Sequence, residues 1–428
     1  MNNNQQTIER VKAGLQRRRA SEKRFRLYGQ VSIMTGLLAL LILLVSIVSA
    51  GYGGFFQTML VLDVRLDAEV IDPAGQRERD VLLQADYGLL LKQSLYGMFP
   101  EVTDRQEKRQ LSAFISSGAT QSLRDVVLED PGLVGQTVHI EVEAGSAVDA
   151  VYRGDVDRNA TQSDRSVNDR QLQWIDHLLD EKRVLQRFNR HFFTSGDSRN
   201  PEQAGILGAM AGSFFTIVVT VFLALPVGIA AAIYLEEFSP HNRWTDFIEV
   251  NINNLAAVPS IVYGLLGLAV FINFFEMPRS SPMVGGLVLA LMTLPVVIIA
   301  SRSALKSVPP SIREAAFGIG ASKVQMVFHH VMPLAMPGMM TGAIIGLARA
   351  LGESAPLLMI GMVAFIVDVP GSAMDPSTVL PVQIYLWADS PERGFVRLTS
   401  AAILVLLGFL ICMNGMAVYL RKRFEKRW

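Results

Sequence analysis

Two charged residues stand inside an otherwise apolar stretch running from Val331 to Val367: Arg349 and Glu353, four positions apart. On a helix that spacing puts both on one face, about 6 Å apart along the axis, within reach of each other. At the centre of a membrane helix each charge costs about 2.5 to 3.5 kcal/mol on insertion scales, against about 0.3 to 0.6 kcal/mol returned by a Leu or Ile. The pair is therefore expected to face a bundle interior or water. A guanidinium offers forked donors that suit a tetrahedral oxyanion, and Glu353 could hold the arginine while no anion is bound. The plainer reading is a structural salt bridge that keeps the helix in register. Gly352 and Pro356 flank Glu353, so the helix is expected to loosen there and free backbone groups to line a cavity. If Pro333 opens this helix near the cytoplasmic surface, Arg349 lies roughly 24 Å along the axis, beyond the midplane.

The elements that must position this pair are membrane spans. Of 428 residues, 50% are hydrophobic and 18% charged, a balance between a soluble protein and a pure membrane bundle. Charge-free runs of about 20 residues mark spans. Five centre on Val31 to Ala50, Gly205 to Leu235, Asn254 to Phe275, Met283 to Ser301 and Leu398 to Leu420; the run from Val331 to Val367 is one further span or two. Basic residues cluster at both ends, from Arg10 to Arg26 and from Arg421 to Arg427. By the positive-inside rule both termini are cytoplasmic, which requires an even number of crossings and favours six. The first span is long and ends at no clear small-residue cleavage site, unlike a signal peptide. Prolines 226, 295, 333 and 337 either kink spans or mark their ends.

The loop from Arg302 to His330 then also faces the cytoplasm. Ser311 and Glu314 stand at capping-box spacing after Pro309 and Pro310, so a short helix is expected there, ending near Gly318 or Gly320, with Ala315 and Ala316 facing outward. Small exposed side chains let another protein approach closely.

Residues 55–203 form a polar stretch large enough for a domain outside the cytoplasm. Alternation at Leu60, Leu62, Val64, Leu66, Ala68 and Val70 predicts a half-buried strand, and Val138 to Glu143 a second. Helical spacing runs through Leu172, Ile175, Leu178, Leu179, Leu185 and Phe188, with Ser166 and Asp169 at capping spacing. The segment from Gly154 to Asp169 is polar and reads as a loop. Arg124 and Arg153 could contact an anion but read more simply as solvated surface arginines. The expected organisation is a basic tail (1–30), a first span (31–54), a mixed α/β insert (55–203), and a five-span unit (204–428) with its loop at 302–332.

Glu314-Ala315-Ala316, Gly320 and Pro333 together resemble the coupling-loop signature of permease subunits of binding-protein-dependent ABC importers. Three further stretches, Val258 to Gly264, Ala348 to Pro356 and Leu380 to Tyr385, narrow the resemblance to the A-type permeases of phosphate-specific importers, over about residues 204 to 428. His330 and Met332 stand where that pattern usually has aliphatic residues, and Ser354 where threonine is commoner, which keeps the hydroxyl. The resemblance implies a mainly α-helical membrane protein with six transmembrane helices of the type I importer kind. Glu314, Ala315, Ala316 and Gly320 would dock a separate ATPase, and Arg349, Glu353 and Ser354 would form a gate or substrate contact. It also implies a homologous C-type permease, two copies of an ATPase carrying ATP and Mg, a periplasmic phosphate-binding protein, and restraint of a phosphate-sensing kinase. An insert such as 55–203 is associated with a longer variant of this permease in some Gram-negative bacteria.

Other functions fit less well. The chain contains 39 basic and 39 acidic residues and no basic run interleaved with aromatics, which argues against a nucleic-acid partner. It has no Gly-x-x-x-x-Gly-Lys-Ser/Thr segment, so it lacks the usual P-loop for ATP, and no nucleophile elbow or metal-ligand spacing, so an enzyme is not expected. Cys412, the one cysteine, reads as a small packing residue. The alternatives are a permease for another oxyanion, such as molybdate or sulfate, and a membrane-tethered sensor.

Overall fold

The computed structural model describes residues 2–162, 165–240, 242–392 and 394–424. The helices of the membrane part are labelled in chain order. The first, α1 (Asn2–Tyr52), is one unbroken helix of 51 residues, roughly 75 Å long, so the basic tail and the first span are a single rod. Its apolar side chains, among them Ile33, Leu37, Leu41 and Val48, are exposed, as befits a surface that meets lipid.

The insert is a three-stranded antiparallel sheet in the order β2-β1-β3, with β1 at Phe56–Arg65, β2 at Thr137–Glu143 and β3 at Val184–Phe188. Leu62 pairs with Ile140 and Leu60 with Val184. Leu60, Leu62 and Val64 are buried in one core with the helices Tyr87–Met98, Ala119–Glu129 and Asp169–Asp180. The first strand is shorter than the alternation predicts. It stops at Arg65 because the Asp67 carboxylate accepts from the Glu69 N–H and caps a turn of helix, Ala68–Ile71, which takes up Ala68 and Val70.

A second correction concerns Leu185 and Phe188. They lie in β3, not on the preceding helix, which ends at Asp180 before Lys182 adopts φ +55. Edge pairing with β1 overrides the local period. That helix is capped by Asn168 and Gln171 in a reciprocal box, two residues beyond the Ser166/Asp169 spacing expected. Nor is Arg153 a surface arginine. It is 10% exposed, pairs with Asp149, and donates to the carbonyls of Gly53, at 2.6 Å, and of Phe56.

The membrane part contains α2 (Leu207–Ile233), α3 (Arg243–Ala256), α4 (Ser260–Gly267), α5 (Pro282–Lys306), α6 (Pro310–Gly318), α7 (Met332–Gly352), α8 (Ala355–Met359), α9 (Leu380–Ala388) and α10 (Gly394–Phe424). Among the described residues five helical stretches are long and apolar enough to cross a membrane, and the pair α3 and α4 with its π continuation, bent by 100°, makes a sixth. The span expected at Asn254 to Phe275 is therefore not one straight helix. Chain direction shows that the bent pair must traverse the bundle. Gly286 packs on Val219 and Gly228 on Val297, so α2 and α5 run parallel, and the chain between them has to return to the face where α2 began. By contrast α5 and α7 are antiparallel, with Gly338 against Ala304 and Gly342 against Ala300, the close approach that small residues permit.

The run from Val331 to Val367 holds one span, which ends at Gly352. Prolines 226, 295 and 337 lie inside helices. Pro333 opens α7 but does not begin its rod: a turn at Lys323–Gln325 and a π turn at Met326–Val331 lead into it without a break, giving 30 residues. Lacking an N–H, Pro333 cannot continue the normal ladder, and the turn before it widens. The first and last described residues and α6 fall at one end of the bundle, and the insert and α9 at the other, as the helix directions require. Cys412 is exposed on α10, not packed in the interior.

Candidate functional site

Arg349 lies in the last turn of α7, and Glu353 is the residue that ends it, in an extended conformation with φ −83 and ψ 119. The helix loosens where Gly352 and Pro356 indicate. Arg349 Nε stands 3.7 Å from Glu353 Oε1, with the side chains 52% and 23% exposed. That separation is an ion pair without a hydrogen bond. Among the described residues the guanidinium makes no hydrogen bond at all, so its donors are free for an incoming anion. Ser354 heads α8 with its hydroxyl uncommitted, while its carbonyl accepts from Leu358 N–H at 2.9 Å. The three residues singled out in the sequence thus meet at one helix break.

A second break faces the first. The stretch from Val258 to Gly264 is the bend between α3 and α4, and Tyr263 Oη closes it by donating to the Leu255 carbonyl at 2.8 Å. A Cβ on Gly264 would stand 2.7 Å from Pro356 Cα, so glycine is what lets α4 lie directly on α8. Tyr263 is also within electrostatic reach of Arg349. Two of the three stretches recognised in the sequence are therefore one structural unit. The third, Leu380 to Tyr385, is α9: Val382 shares a core cluster with Tyr263 and Ala350, and Gln383 faces the insert end instead.

At the opposite end, α6 begins at Pro310 with Pro309 as its cap and no side-chain capping bond, so the expected Ser311/Glu314 box does not form. Proline at the first helical position leaves no N–H there to satisfy. The helix ends at Gly318, and Gly320 takes φ +86, the left-handed turn that redirects the chain. Glu314 and Ala315 are exposed. Ala316 is not. It is 3% exposed and packs with Val327 and Val331, because α6 must bury one stripe to sit on the bundle. Phe317, Ile319, Val324 and Phe328, on the same loop, are also exposed.

Sequence reasoning missed the residues that hold α6 in place. Arg313 donates to Glu237 Oε1 at 2.7 Å, to the Val308 carbonyl at 2.8 Å and to the Leu305 carbonyl at 3.0 Å. Glu237 is 6% exposed and ends the rod of α2. Beside it Arg302 pairs with Glu236, at 3.3 Å, and with Glu249. The available signal was the Glu236-Glu237 doublet closing an apolar run, facing Arg302 and Arg313 across the loop.

A cavity of about 590 Å³ lies elsewhere, between the insert and the head of α10; Asp149, Arg153, Glu202 and Arg397 line it, and Arg349 is not among its walls.

Residues 224–426 match the family described as binding-protein-dependent transport system inner membrane component, and residues 12–162 match a domain of unknown function, DUF3333. The second match stops short of β3, which completes the sheet. The phosphate transport system permease protein PstA of Haemophilus influenzae is 30% identical over 243 residues, 57% of this chain and 84% of that protein. PstA 1 of Mycobacterium tuberculosis is 32% identical over 210 residues, 48% of this chain and 68% of that protein. Among solved structures, a chain of the inward-facing MetNI methionine ABC transporter aligns with 50% of this chain and 95% of its own, at 16% identity and TM-score 0.42. With the coupling loop, the facing helix breaks, the family match and the two PstA relatives together, the chain belongs to the PstA family of binding-protein-dependent ABC importer permeases.

Proposed function

We propose that this chain forms half of the translocation path of an ATP-driven importer of inorganic phosphate in the bacterial inner membrane, with the α6 end cytoplasmic and residues 55–203 periplasmic. A homologous C-type permease supplies the other half, a dimeric ATPase holding ATP and Mg docks on the surface around Glu314, Ala315 and Gly320, and a periplasmic binding protein delivers phosphate. The observation that carries this reading is the Arg349 guanidinium, paired with Glu353 but with no hydrogen bond made, at the meeting point of two broken helices. Discontinuous helices are where transporters place ion sites. Phosphate offers the forked acceptors that arginine fits, and Ser354 can donate to a third oxygen. Glu353, beside Arg349, can accept a hydrogen bond from the P–OH of hydrogen phosphate, a donor that sulfate lacks.

The test is ATP-dependent uptake of labelled phosphate into proteoliposomes containing the complete complex. Arg349→Gln should lower uptake at least about tenfold, the scale of one lost charge-assisted hydrogen bond of about 1.5 to 3 kcal/mol, with ATPase activity retained. Glu353→Gln should admit sulfate as a competitor. Normal uptake by the Arg349 variant returns the pair to a structural role. Flux of molybdate or sulfate in preference to phosphate assigns another oxyanion, and no flux through an assembled, ATP-hydrolysing complex favours a sensor.

A further inference from the structure

We propose that a recess at the insert end of the bundle binds a single hard cation of the alkali or alkaline-earth class. It lies where the head of α2 meets the loop leading into α9, walled by Asp197, Ser377, Thr378 and Gln383 with the exposed Asp368 at its rim. Two of these side chains are buried and lack partners. Ser377 Oγ and Thr378 Oγ1 make no hydrogen bond, although the residues are only 1% and 4% exposed. Buried polar groups are almost always satisfied, so two orphans around one recess point to a missing ligand.

The charge in the recess is also unbalanced. Asp197 Oδ1 accepts from Trp387 Nε1–H and from the Ser198 N–H, each at 2.9 Å. No cationic side chain neutralises it among the described residues, and burial pushes its pKa up against the pull of the hydrogen bonds from Trp387, Gln383 and Ser198. A cation would remove that cost.

Water is a poor candidate because the recess admits no water-sized sphere. A dehydrated cation needs oxygens at only about 2.3 to 2.6 Å, closer than a water oxygen at about 2.8 Å. The donors are carboxylate and hydroxyl oxygens, to which Gln383 adds Oε1 if its amide turns over. Among the described residues no group of three or more His, Cys, Asp and Glu could hold a metal, which argues against a transition ion and leaves the hard cations that oxygen donors prefer. The ion would join three segments: the tail of the insert at Asp197, the head of α2 at Gly208, and the loop that follows the Glu353–Ser354 break. Ser377 N–H, bonded to the Ser280 carbonyl at 2.8 Å, and Leu380 N–H, bonded to Ser213 Oγ at 2.8 Å, hold that loop in place around it.

The full chain, purified in detergent, chelator-treated and exchanged into choline chloride, is titrated with calcium chloride and separately with sodium chloride at constant ionic strength. Thermal unfolding and binding of radiolabelled cation are read together. The expected result is a saturable rise in Tm of roughly 5 °C with one of the two cations, at one ion per chain, abolished by Asp197→Asn. Ser377→Ala and Thr378→Val should each weaken binding at least about tenfold, and they keep the test open if Asp197→Asn does not fold. The absence of a saturable response to either cation overturns the proposal. So does a response unchanged in all three variants, or an Asp197→Asn chain that in ion-free buffer is as stable as loaded wild type, since the recess then holds a proton.

Discussion

A charge in an apolar run is costly wherever it points, so Arg349 and Glu353 could be singled out before any coordinates, and the helix break between Gly352 and Ser354 follows from the glycine and proline around them. Glu237 and Arg313 were not legible in this way, because the partners stand 76 positions apart and each looks like an ordinary charge at a span end. The same holds for His191 and Glu143, whose Nε2 and Oε1 lie 3.2 Å apart in the insert. The hydrogen bond to Glu143 raises the His191 pKa above 6.5 against the effect of burial. Burial pushes Glu143 up, yet the hydrogen bonds from His191 and Ser122 leave it below 4.5. The histidine's contribution to stability is full below its unfolded pKa and is lost as pH rises through the raised value; the glutamate's is present above its unfolded pKa and is lost as pH falls through the lowered one. Thermal unfolding across pH should therefore show the insert losing stability on the alkaline side of the ordinary histidine range. His191→Ala should flatten that slope.

At the scale of the element, α6 shows why a loop helix has two kinds of alanine. Ala315 leaves room for a partner and Ala316 lets the helix lie close on Val327 and Val331; the sequence shows that both are small, but not which side each takes. The bend between α3 and α4 was hidden for a similar reason. Hydropathy is uniform through Asn254 to Phe275, and the Tyr263–Leu255 hydrogen bond that fixes the break adds no polarity to the pattern. Arg313 is the fastening of α6, since one side chain satisfies Glu237 and two carbonyls at the end of α5. Arg313→Met leaves Glu237 buried without a partner, a loss of about 3 to 5 kcal/mol for a pair of this type. The expected outcome is an ATPase subunit that no longer co-purifies with the complex, or that hydrolyses ATP without phosphate uptake, while Lys323→Met on the same loop leaves both intact.

Over the whole molecule, the insert is tied to the membrane part through Asp149. Its carboxylate accepts from Thr58 Oγ1 and Arg153 Nε, each at 2.5 Å, and pairs with Arg397 of α10 at 3.3 Å, while Arg397 also pairs with Asp155. Asp149→Asn should cost about 1 to 3 kcal/mol and open the junction, seen as faster proteolysis between Glu392 and Arg397 and a lower Tm. The six crossings, with the first and last described residues at one end, were readable from apolar runs and basic flanks, because those signals are local. The junction was not, because its contacts join residues as far apart as Asp149 and Arg397. One feature of the bundle sets how little movement transport requires. The helical run from Lys323 to Gly352 is continuous, starting beside α6 and carrying Arg349 in its last turn, so Arg349 sits at the end of an arm of about 39 Å. Tilting that arm by about 10° about its lower end swings Arg349 through roughly 7 Å, more than the width of a phosphate ion. On the function proposed above, a motor that does no more than rock α6 slightly would carry the guanidinium from one side of its cargo to the other.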